Sequence, residues 1–170
     1  MNTEKLVLAL QPLQGTSGWP GPFDPTRVFL MIIRASKRGP EVLVTENLPF
    51  KENKSELFFT RICNFYAMAI GQGEEYYEGL YGPLPLTHIY SSLVYARILP
   101  DSTQDDQRFP GKTYALICLG YPKEQDHLFG DRINLKRGFS SWVTSVDDLS
   151  KVDLASLGEL RDVLMKALAS

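Results

Sequence analysis

The sequence is poor in the residues that most often mark chemistry. Of its 170 residues, two are histidine and two are cysteine. A metal centre usually needs three or four ligands at usable spacing, and two histidines with two distant thiols do not supply it. An excess of one charge is also missing. Eighteen Lys and Arg against 20 Asp and Glu leave a net charge of -2. That gives no overall electrostatic footprint for nucleic acid or an anionic membrane surface. No apolar run approaches the roughly 18 residues that span a bilayer, so no membrane insertion is expected. Internal repeats, low-complexity tracts and a linker between two cores are absent. What is present is ordinary: 44% hydrophobic and 22% charged residues. Residues 1–170 read as one α+β domain with a real core. Cys63 and Cys118 each lie in an apolar stretch. They read as reduced core thiols, with a disulfide left open, and a cytoplasmic location is expected.

The period of the hydrophobic pattern changes along the chain. Lys5–Leu10, "KLVLAL", reads as a short strand rather than a signal peptide. Gln11–Pro25 holds four prolines and three glycines in 15 residues and reads as a loop. Thr26–Ala35 is a nearly continuous apolar run, expected for a strand covered on both faces. Glu41–Leu48 returns as its hairpin partner. From Asn53 the period becomes helical. Asn53 and Glu56 approximate a capping box; Phe58, Ile62, Phe65 and Ala69 share a face, beside Phe59, Cys63, Tyr66 and Ile70; Gly71 and Gly73 supply the stop. "EEYYEGLYGPLP" then reads as a loop, because Pro83 and Pro85 block helix.

Thr87–Leu99 alternates as one bent strand or two shorter ones, with His88 a strand residue at its start. Asp101–Lys112 reads as a polar acidic loop, and Thr113–Tyr121 is the most strand-like run. "PKEQDHLFGDR" leaves the sheet. Two helices close the chain. Phe139, Trp142, Val143 and Val146 mark the first; Leu157, Leu160, Leu164 and Leu168 mark the second, with Asp153 as its cap. The expected fold is a single antiparallel sheet of about five strands, a long helix between strands and two C-terminal helices on one side of the sheet.

No residue set specifies a reaction. His88 with Ser91 or Ser92 lacks an orienting third group and the glycine-flanked elbow of hydrolases. His127 follows Asp126, but adjacency in a loop does not make the two face each other. The acidic pairs Glu74-Glu75, Asp105-Asp106 and Asp147-Asp148 read as solvated loops. The hairpin "IIRASKRGPEVLV" resembles the opening of Nudix pyrophosphohydrolases, but the helix after it lacks the carboxylates that hold their metal ions. No cofactor is expected, and catalytic and metal-ligating residues are set at none.

The stretch from "TRVFLMIIRASKRGPEVLVTENLPF" through "KSELFFTRICNFYAMAIGQG" to "SSLVYARILPD", "TYALICLGY" and the C-terminal helices resembles a longin-type domain of the profilin-like group. In that family two strands precede a long helix, further strands and then helices. The resemblance implies a non-catalytic protein-interaction adaptor in membrane or vesicle trafficking. Its implied partner is a small GTPase or another longin- or roadblock-type subunit, and it implies a possible homodimer. The aromatic residues Trp19, Phe23, Tyr76, Tyr77 and Tyr81 are the candidate interaction residues, since aromatics bury much area at low entropic cost. Two alternatives are a small-molecule sensor of the PAS or GAF kind and an enzyme using His88 or His127 as acid-base.

Overall fold

A computed structural model describes residues 24–49, 59–64, 76–130 and 132–169. Five strands form one antiparallel sheet: β1 Phe29–Ser36, β2 Gly39–Glu46, β3 Gly79–Pro85, β4 Tyr90–Pro100 and β5 Lys112–Pro122. Their order is β2-β1-β5-β4-β3. Two helices follow, α1 Arg132–Thr144 and α2 Leu154–Ala169. Single 3-10 turns at Pro25–Arg27 and Leu149–Lys151, and a longer one at Lys123–Phe129, join the elements. No helix of the described residues is long and apolar enough to cross a membrane.

The last strand in sequence is the middle strand of the sheet. β5 pairs with β1 on one side and β4 on the other, and it is buried from Thr113 to Pro122. Period-two alternation splits its side chains between two cores. Ala115, Ile117, Leu119 and Tyr121 face one way, with Leu30 and Ile32 of β1 and Leu93, Tyr95 and Leu99 of β4. Tyr114, Leu116 and Cys118 face the other, with Phe29, Met31 and Ile33 of β1 and Val94 and Ala96 of β4. An apolar run without alternation is what a strand covered on both faces requires.

The first core is sealed by α1 and α2. Leu135, Phe139, Trp142 and Val143 of α1 and Leu157, Leu160 and Leu164 of α2 are buried in it. Each such side chain contributes about 1.5–3 kcal/mol by leaving water. Phe139 stacks on Tyr95, ring centroids 5.2 Å apart. The two helices approach closely at Gly138, where a Cβ would lie 3.3 Å from Leu164 and 3.4 Å from Val163. Asp153 caps α2, its Oδ1 accepting from Ser156 N at 2.9 Å, as expected from sequence.

The opposite core is covered by residues 59–64, which are helical. Ile62 is buried there, and Phe59 and Cys63 pack beside it. Helical structure therefore lies on both sides of the sheet, which corrects the expectation that helices occupy one side only. The helix limits expected at Asn53 and Gly71, the strand at Lys5–Leu10 and most of the loop at Gln11–Pro25 lie outside the described residues.

Three further expectations are corrected. The segment expected as a loop before Leu84 contains β3, an edge strand whose register with β4 shifts between Tyr81 and Leu84. An edge strand has only one ladder to satisfy, so it tolerates Pro83 and Pro85 where a central strand could not. Next, His88 is not in a strand. It lies exposed in the bend at 86–89, where Thr87 Oγ1 accepts from the N–H of Ile89 at 3.1 Å and of Tyr90 at 3.0 Å. That local hydroxyl bonding competes with ladder formation, and a single strand β4 begins only at Tyr90. Finally, the acidic loop after β4 is not simply solvated, because Asp101 and Asp106 are buried.

Candidate interaction surface

One end of the sheet is organised by a cation shared among carboxylates. Arg34 leaves β1 and places Nη1 3.0 Å from Asp101 Oδ2 and 2.7 Å from Thr103 Oγ1. Its Nε and Nη2 reach Glu41 Oε2 on β2 at 3.3 and 3.2 Å. Asp101 then accepts from Thr103 N at 2.9 Å through its other oxygen. Nearby, Gln104 Nε2 donates to the Ala35 carbonyl at 2.9 Å, and Lys37 N donates to Asp105 Oδ1 at 3.3 Å. The loop at 101–111 is thereby fixed to the β1-β2 hairpin. This long-range bonding is why its acids are not all in water.

Next to this network stands an aromatic cluster. Tyr76, just ahead of β3, meets Phe109 edge-on at 4.7 Å and Tyr114 at 5.2 Å between centroids. Arg108 donates through Nη1 to Tyr76 Oη at 3.1 Å and through Nε to both oxygens of Asp106 at 3.0 Å. The Arg108 side-chain hydrogen bonds hold the Asp106 carboxyl below the usual carboxylate range. Tyr114 Oη donates to the carbonyl of Tyr77. The result is a half-buried tyrosine clamped by loop residues, Phe109 and Arg108, that the sequence pattern did not single out.

The candidate aromatic residues are therefore placed unequally. Tyr76 and Tyr81 pack against the second core, and Tyr77 is 52% exposed. These three share the β3 side of the sheet. Trp19 and Phe23 lie outside the described residues.

The histidines occupy different loops. His88 is exposed between β3 and β4, while Ser92 is buried and donates its hydroxyl to the Leu93 carbonyl at 3.1 Å. His127 is exposed on the 3-10 turn after β5. Asp126, beside it in sequence, sets its charge near Tyr121, whose phenol is pushed above the ordinary tyrosine range by burial first and by that charge second. Among the described residues, no three His, Cys, Asp or Glu side chains converge as a metal site would require.

Both thiols are free. Cys118 is buried in β5, and Cys63 packs against the same core from the helical segment. Burial pushes the Cys63 thiol up to about 11. It pushes Cys118 up as well, with the nearby Cys63 adding to the effect.

A groove of about 200 Å³ lies between the end of α1 and the start of α2, lined by residues including Trp142, Asp148, Lys151 and Glu159. Trp142 Nε1 donates to the Ser156 carbonyl at 3.1 Å. Asp148 accepts from Ser102 N at 3.1 Å and Ser150 N at 3.0 Å, and its bonds to the two serines draw its carboxyl well down. This groove is smaller than the roughly 300 Å³ at which small-molecule sites begin.

Comparison with models of protein families, with curated proteins and with solved structures finds no match to this chain.

Proposed function

We propose that the chain is a non-catalytic protein-interaction adaptor of the longin-like kind, serving small GTPases or membrane-trafficking assemblies. The observation that carries this reading is the order of elements on one open sheet. Among the described residues a strand hairpin precedes a helical segment against one face, then come three strands, then two helices against the other face. That is the order on which the resemblance to longin-type domains rests. Fold alone does not fix function, so the partner class is carried by the resemblance.

The polar groups at the sheet end add support. Arg34, Asp101, Glu41, Arg108 and Asp106 are bonded to one another and to the backbone around them. Such groups hold a scaffold together; they do not converge on an open cleft as a reactive set would. Tyr77, exposed beside them, is the residue of this end best placed to bury area against a partner.

The test is size-exclusion chromatography of the full chain with a panel of small GTPases, each loaded with GDP or a non-hydrolysable GTP analogue. Co-elution with one nucleotide form is expected, weakened by Tyr77→Ala at unchanged thermal stability. No complex with any GTPase in either state would remove the GTPase assignment.

A further inference from the structure

α1 buries one face and leaves the other strongly basic. Leu135, Phe139, Trp142 and Val143 are buried, whereas Arg132, Ile133, Lys136, Arg137 and Ser140 are exposed. The helix contains three cations and no acidic residue. Arg132 Nη2 donates to the carbonyl of Leu80 on β3 at 2.7 Å, and none of the three cations has a carboxylate partner among the described salt bridges. Between them lies Ile133, 67% exposed and the most exposed large apolar side chain among the described residues.

The bond to Leu80 accounts for Arg132, but no bond among the described residues accounts for Lys136 and Arg137. Arg132 and Lys136 stand four residues apart, a like-charge spacing that destabilises a helix by about 0.2–0.5 kcal/mol. Arg132 also sits at the positive pole of the helix dipole, where a cation is unfavourable. A chain with net charge -2 thus gathers three cations around an exposed isoleucine, with no carboxylate bonded to them among the described residues.

We infer that the outward face of α1 docks an acidic peptide segment of a partner protein, its carboxylates against Lys136 and Arg137 and an apolar side chain over Ile133. This rests on the reading of the chain as a protein-interaction module and names a surface for it. A phosphate-rich ligand would satisfy the cations but leave Ile133 uncovered. Stable electrostatic attachment to a membrane draws on clusters of roughly four to eight basic residues, more than this face offers.

The test uses the intact ¹⁵N-labelled chain titrated with a synthetic peptide of repeating Glu-Glu-Leu. Saturable amide shifts confined to α1 and the adjoining Leu80 are expected, weakening with added salt. Lys136→Glu with Arg137→Glu is expected to lower affinity about tenfold or more at unchanged Tm. Ile133→Ser is expected to lower it separately. Equal binding of a Gln-Gln-Leu peptide, shifts spread over the whole molecule, or wild-type affinity in the double variant would each overturn the inference. So would binding to phosphatidylcholine–phosphatidylserine vesicles without binding to the peptide. If a GTPase complex forms and survives the double charge reversal while the peptide fails to bind, the adaptor reading stands and the α1 surface falls. If the peptide binds as described but no GTPase does, the α1 surface stands and the GTPase assignment falls.

Discussion

Arg34 on β1 and Asp101 at the exit of β4 lie 3.0 Å apart, with the aspartate side chain wholly buried and the arginine largely so. The pair fastens the loop after β4 to the first hairpin. A buried carboxylate with a charged partner and two further donors is expensive to break from one side. Asp101→Ala leaves Glu41 as the one carboxylate bonded to Arg34, so the expected loss is about 2–3 kcal/mol, the scale of hydrogen bonds to charged groups. Urea denaturation reads this as a lower midpoint at unchanged slope. An unchanged midpoint would mean that the pair contributes nothing net.

Gly120 of β5 faces Phe29 of β1 in register, and a Cβ there would fall 1.9 Å from the phenyl ring. The ring occupies the space a side chain would take, and it meets Tyr90 edge-on at 5.9 Å. Gly120→Ala is expected to cost about 1–3 kcal/mol or more through overpacking. Phe29→Leu combined with Gly120→Ala is expected to recover part of that loss. Additive effects in thermal denaturation would contradict the contact.

Arg161 of α2 holds Glu46 at 3.0 Å and donates to the carbonyls of Pro25 at 3.0 Å and Val28 at 2.9 Å. One guanidinium thus joins the last helix, the outer strand and the segment leading into β1. Arg161→Ala is expected to destabilise by about 2 kcal/mol, since several charge-assisted bonds go at once. Arg161→Lys restores the charge but not the fork, so partial rescue is expected. Amide exchange should quicken first in β2; uniform quickening would argue against local docking.

Burial pushes the Cys63 thiol up to about 11 in the folded chain, above its ordinary value of 9.0. Its folded pKa is raised, so its contribution to stability is complete below pH 9 and is lost as pH rises toward 11. The thermal midpoint should therefore fall across that interval, and fall less in Cys63→Ala. Native labelling by a disulfide reagent at neutral pH should be slow, because the thiolate is the reactive form. Rapid labelling of both thiols without denaturant would refute the burial of Cys118.

The sequence made the central elements readable and the edges obscure, for one physical reason. Thr113–Tyr121, and Val28–Ile33 within the run expected from Thr26 to Ala35, are buried on both faces, so their composition is set by the core and shows directly in the residues. The stripes of α1 and α2 were readable because each helix buries one face, although α1 ends at Thr144, short of the Val146 expected on its stripe. β3 was not, since an edge strand accepts the same prolines that mark a loop. Asp101 read as one more loop acid because its partner Arg34 is remote in sequence, and no local pattern encodes that contact. The same holds for Phe109 and Arg108, which matter only because Tyr76 and Tyr114 fold next to them. Of the five aromatic residues singled out for interaction, Tyr77 is the one whose surface position the structure describes plainly.

Because β5 is central, assembly has to wait for the ribosome. β1 and β4 emerge before the strand that joins them, so during synthesis the first hairpin has no neighbour on its inner side. Phe29, Met31 and Ile33 then lack the central part of their core until Leu116 and Cys118 leave the exit tunnel. Closure across so long a stretch of chain favours slow folding and exposes apolar strands to other nascent molecules. A chaperone acting on this protein would be needed most in the interval before residue 122 appears, and a chain interrupted there would have two half-sheets with no strand to unite them.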